Sequence, residues 1–123
     1  MANEITFQQQ MVLNNGSLKD QHSSGSIAVD QTTAALMRNV QTVPTTAGGT
    51  ALDIGSLTTP GFASFINLDA TNYIEIGINV AATFHPTAKL KPGEQAMFRL
   101  ATTAPYAIAD TASVKLFYVI YED

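Results

Sequence analysis

The stretch that most restricts the fold is residues 113–123, SVKLFYVIYED. Read as a strand of period two, it places Val114, Leu116, Tyr118 and Ile120 on one side. Lys115, Phe117, Val119 and Tyr121 fall on the other. Both sides are mostly apolar. A strand with one dry face alternates apolar and polar residues, so a strand apolar on both sides needs cover above and below. The expected cover on one side is the second layer of a small β-sandwich. On the other side two covers compete. One is the rest of the same chain, as a closed barrel or overlying loops; the other is a neighbouring subunit.

Composition favours the subunit. The chain has 123 residues, of which 46% are hydrophobic and only 13% charged, against about 25% charged in an average globular domain. A domain of this size has much surface per residue, so scarce charge leaves a surface that is neutral or apolar and suited to protein contact. Interfaces are rich in Tyr, Phe, Met and Arg and poor in Lys and Glu, and on that ground Tyr73, Phe117, Val119 and Tyr121 are the expected subunit-interface residues. The formal net charge is −4 and the six basic residues are scattered, so no concentrated basic face for nucleic acid is expected. Cysteine is absent, which rules out disulfides, thiolate metal sites and thiol catalysis. The opening MANEITFQQQ has neither a basic start nor a long apolar run, and no stretch reaches 18 apolar residues. Neither a signal peptide nor a bilayer span is expected.

Turn signals recur every 8–12 residues and no helical period is convincing. The expected fold is therefore all-β, an antiparallel sandwich of about eight short strands spanning 1–123 as a single domain. Residues 5–13 alternate as a strand, NNG at 14–16 breaks it, and 14–26 is expected as a flexible polar loop with at most one short edge strand. Asp30 could cap a short helix over 31–38, but β-branched Val40, Thr42 and Val43 favour a strand over roughly 37–43, ended by Pro44. TALDIG gives a short strand with Leu52 and Ile54 inward. FASFINL at 62–68 places Phe62, Ile66 and Leu68 on one face, and YIEIGINV at 73–80 turns Ile74, Ile76, Ile78 and Val80 inward. Between them Asp69 and Asn72 belong to a tight turn in which the Asp69 carboxylate bonds its own backbone. Pro86 is read as the end of the next run. Pro92 and Gly93 occupy the two central positions of a type II turn in KPGE. QAMFRLA, the segment around Tyr106 and Ile108, and the terminal stretch complete the strands.

A search for chemistry finds little. Asp20, His22, Ser23 and Ser24 lie together in KDQHSSGS, but a catalytic base needs a rigid support that a polar loop does not supply. His85 has only His22 as a second imidazole, too few for a histidine-rich metal cluster. Asp53, Asp69 and Asp110 sit at turns and match no calcium-loop pattern. Glu75 and Glu94 would serve as a glycosidase pair only if they met across one cleft. AGGT lacks the Lys of a phosphate-binding loop, and NGS at 15–17 reads as an Asn-Gly turn. No catalytic residue, metal or cofactor is expected. A sugar-binding platform on Tyr73 or Tyr121 remains a competing use of the aromatic residues.

Two longer stretches carry a resemblance. NLDATNYIEIG at 67–77 and LKPGEQAMFRL at 90–100, followed by YAIADTA at 106–112, a terminal YED and an opening MANEI with NGSLKD, resemble small structural proteins of tailed bacteriophages. The likeness covers most of the chain and is weakest over 31–60. It rests on turn and strand motifs rather than on chemical signatures. It implies a jelly-roll-like sandwich, a homo-oligomer (a trimer) assembled on a shell, and a major capsid protein or other virion protein as partner. The implied role is a non-enzymatic capsid decoration (cement) protein, made in the bacterial host cytoplasm and resident in the virion. A tail or head-fibre component is the variant within the same class. A carbohydrate-binding module and a small hydrolase are the readings from other classes.

Overall fold

The computed structural model describes residues 3–123. They are all-β, with twelve strands in antiparallel sheets and no helix among the described residues. The chain divides into two compact units, Met1–Ala34 and Ala35–Asp123. The sandwich belongs to the second, so it begins at Ala35 rather than at the start of the chain. It contains eight of the twelve strands.

In the first unit β1 (Ile5–Phe7) pairs with β4 (Ile27–Val29), and β2 (Gln10–Asn15) pairs with β3 (Leu18–Ser23). The two ladders follow one another along a β-ribbon that turns at Gly16 and Ser17, with Ser24 N donating to Gln9 O between them at 2.9 Å. Much of the stretch 14–26, expected as a loop, is therefore strand. The reason for the miss is physical. Every residue of β2 and β3 is exposed, so no dry face imposes a period of two on LKDQHS.

In the second unit β5 (Leu36–Val43), β7 (Pro60–Asn67), β10 (Gln95–Arg99) and β12 (Val114–Glu122) form one sheet in the order β10-β7-β12-β5. The other sheet contains β6 (Thr50–Ala51), β8 (Ile74–Val80), β9 (Thr83–Leu90) and β11 (Tyr106–Ala109), in the order β6-β11-β8-β9. The region around 37–43 is a strand, and no helix forms over 31–38. Pro86 does not end its run: β9 passes through it. β9 is an edge strand and its register shifts opposite Ile76 and Gly77. Those are the two settings in which a sheet tolerates a missing donor. The close approach at the shift excludes any side chain at Gly77, where a Cβ would collide with the His85 carbonyl.

Between the sheets lie Val43, Phe65, Ile74, Ile76, Leu90, Val114, Leu116, Tyr118 and Ile120, with Leu52 and Leu57 contributed by the loop before β7. Phe65 stacks at 5.5 Å from Phe98 and 6.3 Å from Tyr118. Such tilted aromatic pairs add about 0.5–1.5 kcal/mol each beyond area burial. The inward run expected for β8 stops early. Ile74 and Ile76 are buried, but Ile78 is half-buried and Val80 is exposed, because the strand runs past the end of the core.

Three buried polar groups fasten loops to this core. Asn67 Nδ2 donates to the carbonyls of Asn72 and Leu90, and its Oδ1 accepts from Asp69 N. The Tyr118 hydroxyl contacts Asn39 Nδ2 at 3.1 Å, Gln41 Oε1 at 2.9 Å and the Asp53 carbonyl at 2.7 Å. The Glu122 carboxylate accepts from the amides of Thr58 and Thr59 and from the Thr58 hydroxyl. A buried polar atom without a partner is costly, so each of these residues specifies the loop that satisfies it.

Two substitutions probe this frame. Ile76→Asp places an unpaired charge between the sheets and is expected to cost roughly 4 kcal/mol or more, enough to unfold a domain of ordinary stability; circular dichroism and thermal melting read it. At the β8–β9 turn both central residues, Ala81 and Ala82, have positive φ (53° and 66°), as a type I′ turn requires. Ala is strained there, so Ala82→Gly is expected to stabilise by about 1 kcal/mol, seen as a higher Tm.

Candidate interaction surface

The outward side of the β10-β7-β12-β5 sheet is built by an inversion of the hydrophobic pattern in two strands. In β5 the residues toward the core include polar Asn39 and Gln41, because they serve the Tyr118 hydroxyl. The alternate residues Leu36, Arg38, Val40 and Thr42 are all exposed. In β7 the buried set is Ala63, Phe65 and Asn67, which leaves Phe62, Ser64 and Ile66 half-buried on the outer side. The face expected from the apolar count of FASFINL is thus the outward one, and Leu68 lies beyond the strand, exposed.

β12 sits between these two strands and supplies Lys115, Phe117, Val119 and Tyr121 to the same side. Register aligns them in rows: Val40 beside Phe117 beside Ile66, Arg38 beside Val119 beside Ser64, and Leu36 beside Tyr121. The Arg38 guanidinium lies 5.6 Å from the centre of the Phe117 ring. Leu36 and Val40 are more than half exposed, at 57% and 51%, large values for apolar side chains on a strand. Val119 is buried, and Phe117 and Tyr121 are half-buried.

Three of the four expected interface residues therefore share one face. Tyr73 does not join them. It precedes β8 in the other sheet, with Lys89 Nζ 4.0 Å above its ring. Nearby Asp110, then burial, then Glu75 push its hydroxyl pKa up. Leu36, Arg38, Val40 and Ile66 were not among the expected residues. For the three on β5 the signal was the alternation of LMRNVQTV, hidden because polar Asn39 and Gln41 occupy inward positions, and for Ile66 it was the Phe62–Ile66 face of FASFINL.

The expected turn residues hold the near ends of the strands. Asp69 Oδ2 accepts from Thr71 N at 2.9 Å and Asn72 N at 2.6 Å; these bonds, that to Asn72 foremost, hold its carboxyl below the usual range. Gly93 has φ 79° and follows Pro92, and Glu94 N donates to Lys91 O at 3.0 Å, the type II arrangement.

Some of the side chains weighed for catalysis are bonded to nearby backbone. Glu94 Oε1 accepts from Lys91 N at 2.7 Å, whereas Glu75 lies on β8, opposite Lys89. Ser23 and Ser24 hydroxyls bond Gly25 and Gln9 backbone groups. His85 is an exposed residue of β9. Among the described residues no group of three or more His, Asp or Glu side chains is placed to hold a metal. A cleft of 510 Å³ lies among Ile76, Ile78, Val80, Phe98, Arg99 and Leu100. Its guanidinium is bound to Asp123 at 2.7 Å, and the Thr87 hydroxyl at its wall donates to Ile76 O.

The Glu122 carboxyl is held below its ordinary value of 4.5, first by the Thr58 hydroxyl and then by the Thr59 and Thr58 amides, against the opposing effect of burial. A carboxyl with a depressed folded pKa stabilises above its unfolded pKa and loses that contribution as pH falls through the folded one. Tm is therefore expected to fall as pH drops below about 4.5. Glu122→Gln is expected to lower Tm at neutral pH and flatten its decline in acid, measured by melts from pH 7 to pH 3.

No family model, curated protein or solved structure matches the chain.

Proposed function

We propose that this chain is a non-enzymatic structural protein of a tailed-phage virion, a decoration protein that reinforces a capsid through contacts between its own copies and with the major capsid protein. The observation that carries this reading is the outward apolar face centred on Val40, Phe117 and Ile66. In a chain so poor in charge, such a face is suited to burial against protein. Association gains roughly 25 cal/mol for each Å² of apolar area covered, less the entropy of docking. Many copies on one shell act together, so modest single contacts suffice.

The strand order supports a jelly-roll-like frame. Numbered from one to eight along the sandwich, the sheets read 1-8-3-6 and 2-7-4-5, the nested pairing of two Greek keys found in viral capsid and lectin domains. The lectin alternative has less behind it. Tyr73, just before β8, has Lys89 across one face of its ring, and Tyr121 on β12 is half-buried, so neither ring stands fully open to a sugar.

Light scattering on the purified protein is expected to give a multiple of 13.1 kDa, a trimer on this reading. Phe117→Asp is expected to yield a folded, thermally cooperative monomer. A wild-type monomer at high concentration, or unfolding of the Phe117→Asp chain, would show that this face belongs to the subunit's own core. Labelling virions with an antibody to the chain separates a head from a tail position.

A further inference from the structure

The β2–β3 ribbon bears large apolar side chains in an unusual setting. Met11, Val12, Leu13 and Leu18 are 70%, 64%, 45% and 60% exposed. A two-stranded ribbon with no covering layer is marginal in water. Strand alternation and register put Met11, Leu13 and Leu18 on one side of the ribbon, together with Asp20, which stands directly opposite Leu13. That side therefore carries three exposed apolar side chains with the Asp20 carboxylate in the middle, His22 opposite Met11 and Asn15 opposite Leu18. Residues 1–34 carry Glu4, Asp20 and Asp30 against Lys19 alone.

The outward face of the β10-β7-β12-β5 sheet has the opposite character. Its four strands carry Arg38, Arg99 and Lys115, half of the chain's basic residues, and a single acid, Glu122. Glu122 is buried and bonded to Thr58 and Thr59. Arg99 is neutralised by Asp123. What remains is an apolar row at Val40 and Phe117 flanked by Arg38 and Lys115. Both surfaces expose apolar side chains, and the charges beside them, Asp20 on one and Arg38 and Lys115 on the other, have opposite sign. Like-charged surfaces would repel at this range, whereas these attract and set a register.

We propose that the ribbon of one copy docks on this sheet face of a second copy, with Met11, Leu13 and Leu18 over the Val40–Phe117 row and Asp20 between Arg38 and Lys115. The inference rests on the oligomer reading and deepens it by naming what covers the face. The contact is heterologous, ribbon to sheet; such contacts close a ring when the rotation between copies closes and otherwise run on as a filament, and the trimer reading requires the ring. The ring gives each copy one ribbon delivered and one received.

The absence of cysteine makes a direct test clean. Full-length Leu13→Cys and Val40→Cys chains carrying different tags are mixed, exchanged and oxidised. A disulfide joining the two tags is expected, visible on a non-reducing gel and absent when either chain is mixed with wild type. Asp20→Lys is expected to weaken association by roughly tenfold or more, and the double variant Asp20→Lys with Arg38→Asp to recover part of it. Both positions are exposed, so folding is not at stake. If the wild type associates but no disulfide joins the tags and Asp20→Lys has no effect, the sheet face mediates assembly without the ribbon and this inference is overturned. If the wild type is a monomer, the oligomer reading falls with it. A disulfide confined within a single chain carrying both cysteines would likewise overturn docking between copies.

Discussion

The structure depends on the placement of β12. Its backbone is paired on both edges, to β5 along Val114–Tyr121 and to β7 along Leu116–Glu122. It thereby joins the first and last parts of the sandwich, and neither neighbour can shift register without breaking a ladder that fixes the other. Its inner side chains Val114, Leu116, Tyr118 and Ile120 are fully buried and occupy the middle of the core. A strand in that position cannot have a polar inner face. A central strand of a sheet with an open outer side has no such need on its other face, and yet Phe117, Val119 and Tyr121 are there.

The second constraint follows from one of those inner residues. Tyr118 carries a hydroxyl into the dry layer, and a hydroxyl there must be bonded. Asn39, Gln41 and the Asp53 carbonyl meet that demand. Gln41 in turn donates to Ala51 O and accepts from Asp53 N, so the loop after β6 is fastened to β5. Turning Asn39 and Gln41 inward sends Leu36 and Val40 outward. The outward apolar character of this sheet is thus a consequence of a polar network in the core. Asn67 acts in the same way on β7, turning inward to hold the Asp69 turn and the end of β9 while Ile66 faces out. A protein that needed a polar outer surface could have used apolar residues at these inner sites.

Function on this view resides in surfaces and their repetition. The 510 Å³ cleft has its polar groups committed to neighbours, and the carboxylates considered for hydrolysis stand apart, Glu94 in a turn and Glu75 on β8, a strand paired on both edges. A sheet face that is apolar and lightly cationic, and a ribbon with exposed apolar side chains around Asp20, are what the molecule presents. Fold alone does not assign a role; these two surfaces are the specific features on which a role in assembly can be argued.

Much of the architecture is legible in residue order. Period two, turn residues such as Pro92–Gly93 and Asp69, and the absence of a helical period dictate antiparallel strands, because those signals are local: each reflects a backbone angle or a side-chain alternation within a few residues. The same locality explains why β12 reads correctly as a strand buried on one side and apolar on the other. Which face of β5 and β7 is inward could not be read from composition, since Phe62 and Ile66 outweigh Ala63 and Asn67 in hydrophobicity. Only the tertiary arrangement decides it, because the preference of Asn39, Gln41 and Asn67 for the interior exists only once Tyr118 and the carbonyls of Asn72 and Leu90 are close in space. The β3 half of the ribbon was hidden for the converse reason: with both faces in water, cross-strand pairing leaves no imprint on the order of polar and apolar residues in LKDQHS.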